Sequence, residues 1–263
     1  MLDQFRIGKV PVSAITMDTC IATINSWVVE KSTGYVCVAD VHSIMRARMD
    51  PDHMDSLSRA KMVTPDGAPL VVVGRMKGID GLGRVCGPDL MLELMAAGIH
   101  LHTLHYLYGG HPSLASNLRE FLVNKHPGVE IVGMEAPPFR PISDIEDEQT
   151  ISRILSSGAN IVWVGLGCPK QEAWMREHTD RLPGVTLIGV GAAFDFHSGR
   201  AMRAPKWMRS MGLEWLFRLI IDPMRLWRRY LVLAPQFVFM AAIDILAEST
   251  IFKRLLGSAG SNS

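Results

Sequence analysis

The chain of 263 residues is short of several things, and each shortage closes off a kind of protein. It has four cysteines, Cys20, Cys37, Cys86 and Cys168, and no two of them form a C-x-x-C pair. That points away from zinc ribbons and dithiol redox chemistry, and isolated thiols fit a reducing cytosol. The segment Met1–Met17 has scattered charges and lacks the apolar core of a secretory signal. The uncharged run Leu231–Ile243 is 13 residues long, contains Pro235 and Gln236, and is too short to span a bilayer. There is no Walker loop, no complete G-x-G-x-x-G, and no legible Ser/His/Asp arrangement. His42 and His197 fall in loops where a site is expected, but a lone histidine is more often structural. No internal repeat is visible, and the only low-complexity stretch is the polar tail Gly257–Ser263, expected to fray.

A hydrophobic content of 48% with 20% charged residues describes a globular chain able to bury a full core, in one or two domains. The formal net charge of +1 hides an asymmetry. Between Arg200 and Tyr230 stand eight Lys/Arg against two acids, a formal +6, leaving −5 on the remainder with its 19 Lys/Arg and 24 acids. Trp207, Trp215 and Trp227, three of the six tryptophans, lie in the same stretch. Cations beside indoles suit an anionic partner at an apolar–polar boundary, a phosphate or a membrane surface. A solvated helical face is the plainer alternative. Nucleic acid is disfavoured, because the basic run is short and the core is acidic.

Short apolar runs at Tyr35–Ala39, Lys61–Val63, Thr103–Tyr108, Glu130–Val132, Asn160–Gly165 and Val185–Val190 predict strands. Amphipathic segments at Ile44–Ala60, Pro88–Gly98, Ser113–Lys125, Asp144–Ser157 and Lys170–Arg181 predict helices between them. This alternation predicts an α/β fold, a Rossmann-like parallel sheet with helices on both faces. No strand follows Val190. Pro205–Leu219 has helical spacing, Asp222-Pro223 has the form of a helix start, and a second break is expected at Pro235. Arg225, Arg228 and Arg229 then fall at i, i+3 and i+4 on one face. The organisation expected is a catalytic α/β domain over 1–199, a basic helical membrane-associating appendage over 200–255, and a disordered tail over 256–263.

Ligands of such sheets bind at the carboxyl ends of the strands. Thr64-Pro-Asp66-Gly67 places an acid at such an end, suited to a general base or a sugar-hydroxyl ligand, or to a simple turn. Gly165-x-Gly167-Cys-Pro-Lys170-Gln171-Glu172 reads as strand, glycine turn and helix start, where backbone amides can meet a phosphate. Gly109-Gly110 and Gly189-Val-Gly191-Ala-Ala-Phe-Asp195 are further glycine turns of the same weak kind. Asp50-Pro-Asp52 has the form of a metal-binding D-x-D but sits in a polar helical pattern and reads better as a solvated helix start. No metal site is expected.

At these residues the chain resembles the WecG/TagA/CpsF family of bacterial glycosyltransferases, from about Phe5 to Tyr230. The resemblance rests on an ordered set. Thr64-Pro-Asp-Gly67, Arg84-Val-x-Gly-x-Asp89-Leu-Met91, Leu107-Tyr-Gly-Gly110 and His126-Pro-Gly128 come first. Gly167-x-Pro-Lys-Gln-Glu172, Gly189-Val-Gly191 with Phe194-Asp195, Arg203-Ala-Pro205, Gly212-Leu-Glu-Trp215-x-x-Arg218 and Pro223-x-Arg225 follow.

The resemblance implies inverting, metal-independent transfer of a hexose-type residue from a UDP-sugar to a sugar on a polyprenyl diphosphate. It implies no cofactor beyond the UDP-sugar donor, and work at the cytoplasmic face of the inner membrane in exopolysaccharide or other cell-surface polysaccharide synthesis. A homo-oligomer is compatible. Asp66 matches the family's proposed base, and Arg84 and Gln171 match positions lining the catalytic site. Arg218, Arg225 and Arg228 match arginines of the appendage placed at the nucleotide diphosphate. Gly110, Gly167, Lys170, Gly191 and Asp195 complete the expected donor site. The family's Thr-x-Asn after the first strand is Ala39 and Val41 here, so Asp40 or His42 is left to supply a polar group. The rival reading is a non-catalytic or dinucleotide-dependent Rossmann-type protein with a membrane-binding tail.

Overall fold

The computed structural model describes residues 2–248, so the tail expected over 256–263 lies outside the described residues. The chain opens with a hairpin of β1 (Gln4–Ile7) and β2 (Val10–Ser13), antiparallel across Gly8-Lys9. The sheet follows, with β3 (Gly34–Ala39), β4 (Met62–Pro65), β5 (Leu104–Gly109), β6 (Glu130–Glu135), β7 (Ile161–Gly165) and β8 (Thr186–Gly189). All pair in parallel in the order β4-β3-β8-β7-β5-β6.

Alternate residues of each strand feed two cores, one on each face. Ile161 and Trp163 of β7 pack with Leu90, Leu94 and Leu118, while Val162 and Val164 pack with Tyr35, Ile44 and Met175. This two-sided burial is why the strands read as apolar throughout rather than alternating.

Local signals set the helix ends. The expected helix Ile44–Ala60 is two helices, Val41–Met49 and Pro51–Ser58, broken at Asp50. The Asp50 carboxylate accepts from the His53 amide at 3.2 Å and Pro51 takes the first turn, so the D-x-D is a helix start. The N-terminal hairpin and the helices Met17–Val29 and Ala68–Met76 were not predicted from sequence. The hairpin strands have four residues each, and Pro11 weakens the signal of the second.

The tail is helical, as expected, with two differences. Pro205–Leu219 is divided into Lys206–Ser210 and Glu214–Ile221. Beyond it, Pro223–Trp227, a π-helical stretch Arg228–Leu233 and Ala234–Glu248 run on without the break expected at Pro235. A wider π turn accommodates a proline that lacks an amide and crowds the preceding turn. The helix Pro223–Ala247 therefore has 25 residues and is long and apolar enough to cross a membrane by length and composition, unlike the 13-residue run alone.

One side of that helix belongs to the protein core. Phe237 and Ala241 are 2% and 4% exposed against the hairpin side of the sheet, and the Gly8 amide donates to Asp244 at 2.5 Å. Its other side carries Met224 and Phe239, 86% and 71% exposed, and is consistent with membrane association. Phe237→Ala should cost about 3–5 kcal/mol, the usual loss for a fully buried phenylalanine, read as a lower denaturant midpoint. A midpoint within error of the parent would mean the tail is not docked in solution.

Candidate active site

The carboxyl ends of β3 and β4 place the first acid. The Asp66 amide extends the ladder by donating to the Ala39 carbonyl at 2.9 Å, which carries the Asp66 side chain past the strand end. The segment Arg84–Cys86 is laid alongside: the Val85 amide donates to the Pro65 carbonyl at 2.9 Å, and the Thr64 hydroxyl to the Val85 carbonyl at 3.3 Å. Arg84 is thereby fixed beside Asp66. Its Nε donates to the Asp66 main-chain carbonyl and its Nη2 to Oδ1 at 3.4 Å. The Asp66 side chain is 26% exposed. Burial lifts its pKa, Arg84 opposes, Glu214 adds to the rise, and the result is about 6. An acid so tuned can exchange a proton near neutrality.

The tail closes over this end of the sheet through three sets of ion pairs. Arg203 grips Asp89 with both Nη atoms, at 2.5 and 2.8 Å, Arg209 adds a contact at 3.5 Å, and the Cys86 thiol donates to the same carboxylate at 2.9 Å. Burial alone would raise Asp89, but Arg203 and Cys86 hold it down at about 2. Glu214 accepts from Arg84 Nη2 at 2.9 Å. Arg229 pairs with Asp40, whose other oxygen caps Val41–Met49 through the Ser43 amide at 3.0 Å. Asp40 thus occupies the position where a polar substitute for the missing Thr was expected, and it is engaged with the tail. His42 is half-buried, and burial lowers its pKa.

Glycine turns form the floor at the ends of the neighbouring strands. Gly109, with φ +122°, approaches Gly165 so closely that an added Cβ would lie 2.6 Å from its carbonyl carbon, so no side chain fits between these strand ends. Gly110 donates to the Gly165 carbonyl at 3.1 Å. Gln171 is buried in the first turn of the helix Lys170–His178, accepting from the Gly167 amide at 3.2 Å and lying against Gly189 and Gly191. Its Nε2 donates to Glu172 at 2.9 Å. Lys170 is exposed at the same helix start. Asp195 lies beside Gly110 and pairs with Arg200 at 3.4 Å. Gln171, Gly167, Gly191, Gly110 and Asp195 are thus gathered at the ends of β5, β7 and β8. Asp66 and Arg84 stand across β3, roughly 10 Å from β8 at the usual strand spacing.

The tail arginines do not share one face as the i, i+3, i+4 spacing predicts. The π turn at Arg228 shifts the register, so Arg229 turns in to Asp40 while Arg225 and Arg228 are exposed. Arg225 pairs with Asp222 at 2.8 Å, so that carboxylate does not serve the predicted helix cap. The Arg228 guanidinium lies 5.3 Å over Trp227, and that of Arg218 lies 5.8 Å over Phe196, above the strand ends. Sequence reasoning gave Arg203, Asp89, Glu214 and Arg229 no individual role. The alternation of sign between tail arginines and core acids was the available signal, but its pairings need the fold.

Among the described residues, His53, Cys168 and Glu172 could offer one ligand atom each to a metal, all within 4.8 Å of one another. His53 Nε2 faces the Ser43 hydroxyl at 2.9 Å, and burial lowers its pKa to about 4. The group lies under the Gly167–Pro169 turn rather than beside Asp66.

Residues 5–250 match the Glycosyl transferase WecG/TagA/CpsF family. The chain is also similar to the N-acetylglucosaminyldiphosphoundecaprenol N-acetyl-beta-D-mannosaminyltransferase of Bacillus subtilis (strain 168), 30% identical over 185 residues, 69% of each chain.

Proposed function

Because the chain belongs to the WecG/TagA/CpsF family of glycosyl transferases, we propose that it moves a hexose-type residue from a UDP-sugar to a saccharide on a polyprenyl diphosphate, inverting the anomeric centre. The observation that carries this reading is Asp66, an acid at a strand end with its pKa lifted to about 6, beside a glycine-floored edge and under an arginine-rich tail. The relative's name gives an N-acetylmannosaminyl donor group and an N-acetylglucosaminyl-diphospho-undecaprenol acceptor, so an N-acetylhexosamine is the first donor to try. The product belongs to a cell-surface polysaccharide.

In this mechanism the Asp66 carboxylate takes the proton of the acceptor hydroxyl as that oxygen attacks the anomeric carbon in line. The bond from that carbon to the diphosphate breaks, and its electron pair leaves with UDP. One displacement inverts the centre. Arg218, already above the strand ends, stabilises the charge gathering on the leaving group, joined by Arg225 and Arg228 once they turn from solvent toward the bound diphosphate. The turns at Gly110, Gly167 and Gly191, with Gln171 beneath, receive the nucleotide, and Lys170 and Asp195 border it. Closure of the tail excludes water and protects the donor from hydrolysis.

The exposed apolar side of Pro223–Ala247 rests in the cytoplasmic leaflet, where a lipid-linked acceptor lies. Lying on the membrane is preferred to spanning it because Phe237, Ala241 and Asp244 hold the opposite side to the protein. A dinucleotide-binding protein is the rival. UDP should raise the melting temperature by several degrees at millimolar concentration and NAD should not. Stabilisation by NAD alone would favour the rival.

A further inference from the structure

Arg84 stands between two carboxylates of different origin. Asp66 belongs to the strand end and Glu214 to the tail. The shorter side-chain bond goes to the tail: Nη2 lies 2.9 Å from Glu214 and 3.4 Å from Asp66, while Nε is spent on the Asp66 main-chain carbonyl. Glu214 is 13% exposed. Its second oxygen lies 3.8 Å from Arg203, which Asp89 already fixes from the other side. The Glu214 carboxylate is therefore held in place by the same ion pairs that dock the tail.

We propose that Glu214 is a positioning residue: with the tail docked, it draws the Arg84 fork off the Asp66 carboxylate and leaves that carboxylate able to accept a proton. The inference rests on Asp66 being the base. An arginine fork set squarely on a carboxylate favours its charged form, typically by 1–3 pKa units, and occupies the oxygens a base needs. Several groups face Asp66. Arg84 and Cys86 lie on the neighbouring segment, Glu214 and Arg218 on the tail, and the Asp40–Arg229 pair beside Gly67. Burial raises Asp66, Arg84 lowers it and Glu214 raises it. Losing Glu214 removes one raising influence and releases Arg84 toward Asp66, and both changes push downward. An undocked tail has the same effect, so the base is competent only when the donor is covered.

The test is the pH dependence of kcat/KM for the full chain, the Glu214→Gln and Glu214→Asp variants, and Asp66→Asn. The parent's acid limb should fall near about 6. In Glu214→Gln it should move down by roughly one pH unit, with the plateau reduced at least about tenfold. Glu214→Asp, which keeps the charge, should recover much of both. If the glutamine form does not fold, Glu214→Ala, which also removes the charge, is the deciding variant, with the limb again expected roughly one pH unit down. A limb unmoved in whichever of these two neutral variants folds, whatever the plateau, overturns the proposal. The two failures can be told apart. Activity retained by Asp66→Asn refutes the base itself, whereas an inactive Asp66→Asn with an unmoved Glu214 limb refutes only the coupling.

Discussion

Asp66→Asn should lower kcat by about a thousandfold or more, at the upper range for loss of a general base, while UDP affinity stays within about twofold of the parent. The amide has nearly the same shape and can still meet Arg84, but it cannot take a proton. Because the proposed nucleotide site is at the ends of β5, β7 and β8, on the far side of β3 from Asp66, binding and chemistry should separate in this variant.

Its stability should move the other way. Burial raises the folded-state pKa of Asp66 to about 6, above the ordinary 3.8. Between those values the folded protein holds a proton that the unfolded chain does not, so stability falls as pH rises through that window. Asparagine carries no such charge, so at pH 7.5 the variant should melt no lower than the parent. Calorimetry with parallel isothermal titration of UDP checks both halves. A variant that binds poorly and melts early would mean Asp66 is chiefly a structural partner of Arg84.

Ending the chain at Gly199 should have the second largest effect, removing transfer altogether and lowering the melting temperature by more than about 10 °C. Leu226, Phe237 and Ala241 would be lost from buried positions, uncovering apolar faces of the helices Val41–Met49 and Ala68–Met76. Asp89 and Asp40 would lose Arg203 and Arg229, leaving two half-buried carboxylates facing the same edge. Arg84 would lose Glu214 and turn to Asp66. Thermal melts and a radiolabelled transfer assay report these together. A truncated chain with full activity would show that the tail is only a membrane attachment.

How much of this was legible beforehand differs by scale. The six sheet strands and their parallel order class could be read because each is a short apolar run between amphipathic segments, and burial on both faces keeps the runs unbroken. The hairpin could not, since four-residue strands with a proline carry little periodic signal. Asp66 could be singled out because proline and glycine punctuate the strand end on either side of it. Glu214 could not. In sequence it is an acid within a basic helix, and its meaning comes from Arg84, which the fold carries to it. The tail arginines were misplaced by a regular 3.6-residue count, which a π turn at Arg228 defeats. The length of the last helix was underestimated because a break was expected at Pro235, which the π-helical stretch Arg228–Leu233 accommodates.

The transfer reaction is measured most directly by its product. Purified full-length protein should be incubated in anionic lipid vesicles with UDP-N-acetylmannosamine, or each of a panel of UDP-hexoses, and polyprenyl-diphosphate N-acetylglucosamine. The lipid fraction is then analysed by mass spectrometry and the anomeric configuration by NMR. The expected result is a lipid-linked disaccharide with the configuration inverted from the donor's, formed with one UDP released per sugar moved, and lost in Asp66→Asn. Retained configuration would contradict the single displacement. Tight UDP binding with no lipid-linked product from any donor would contradict the proposed transfer itself.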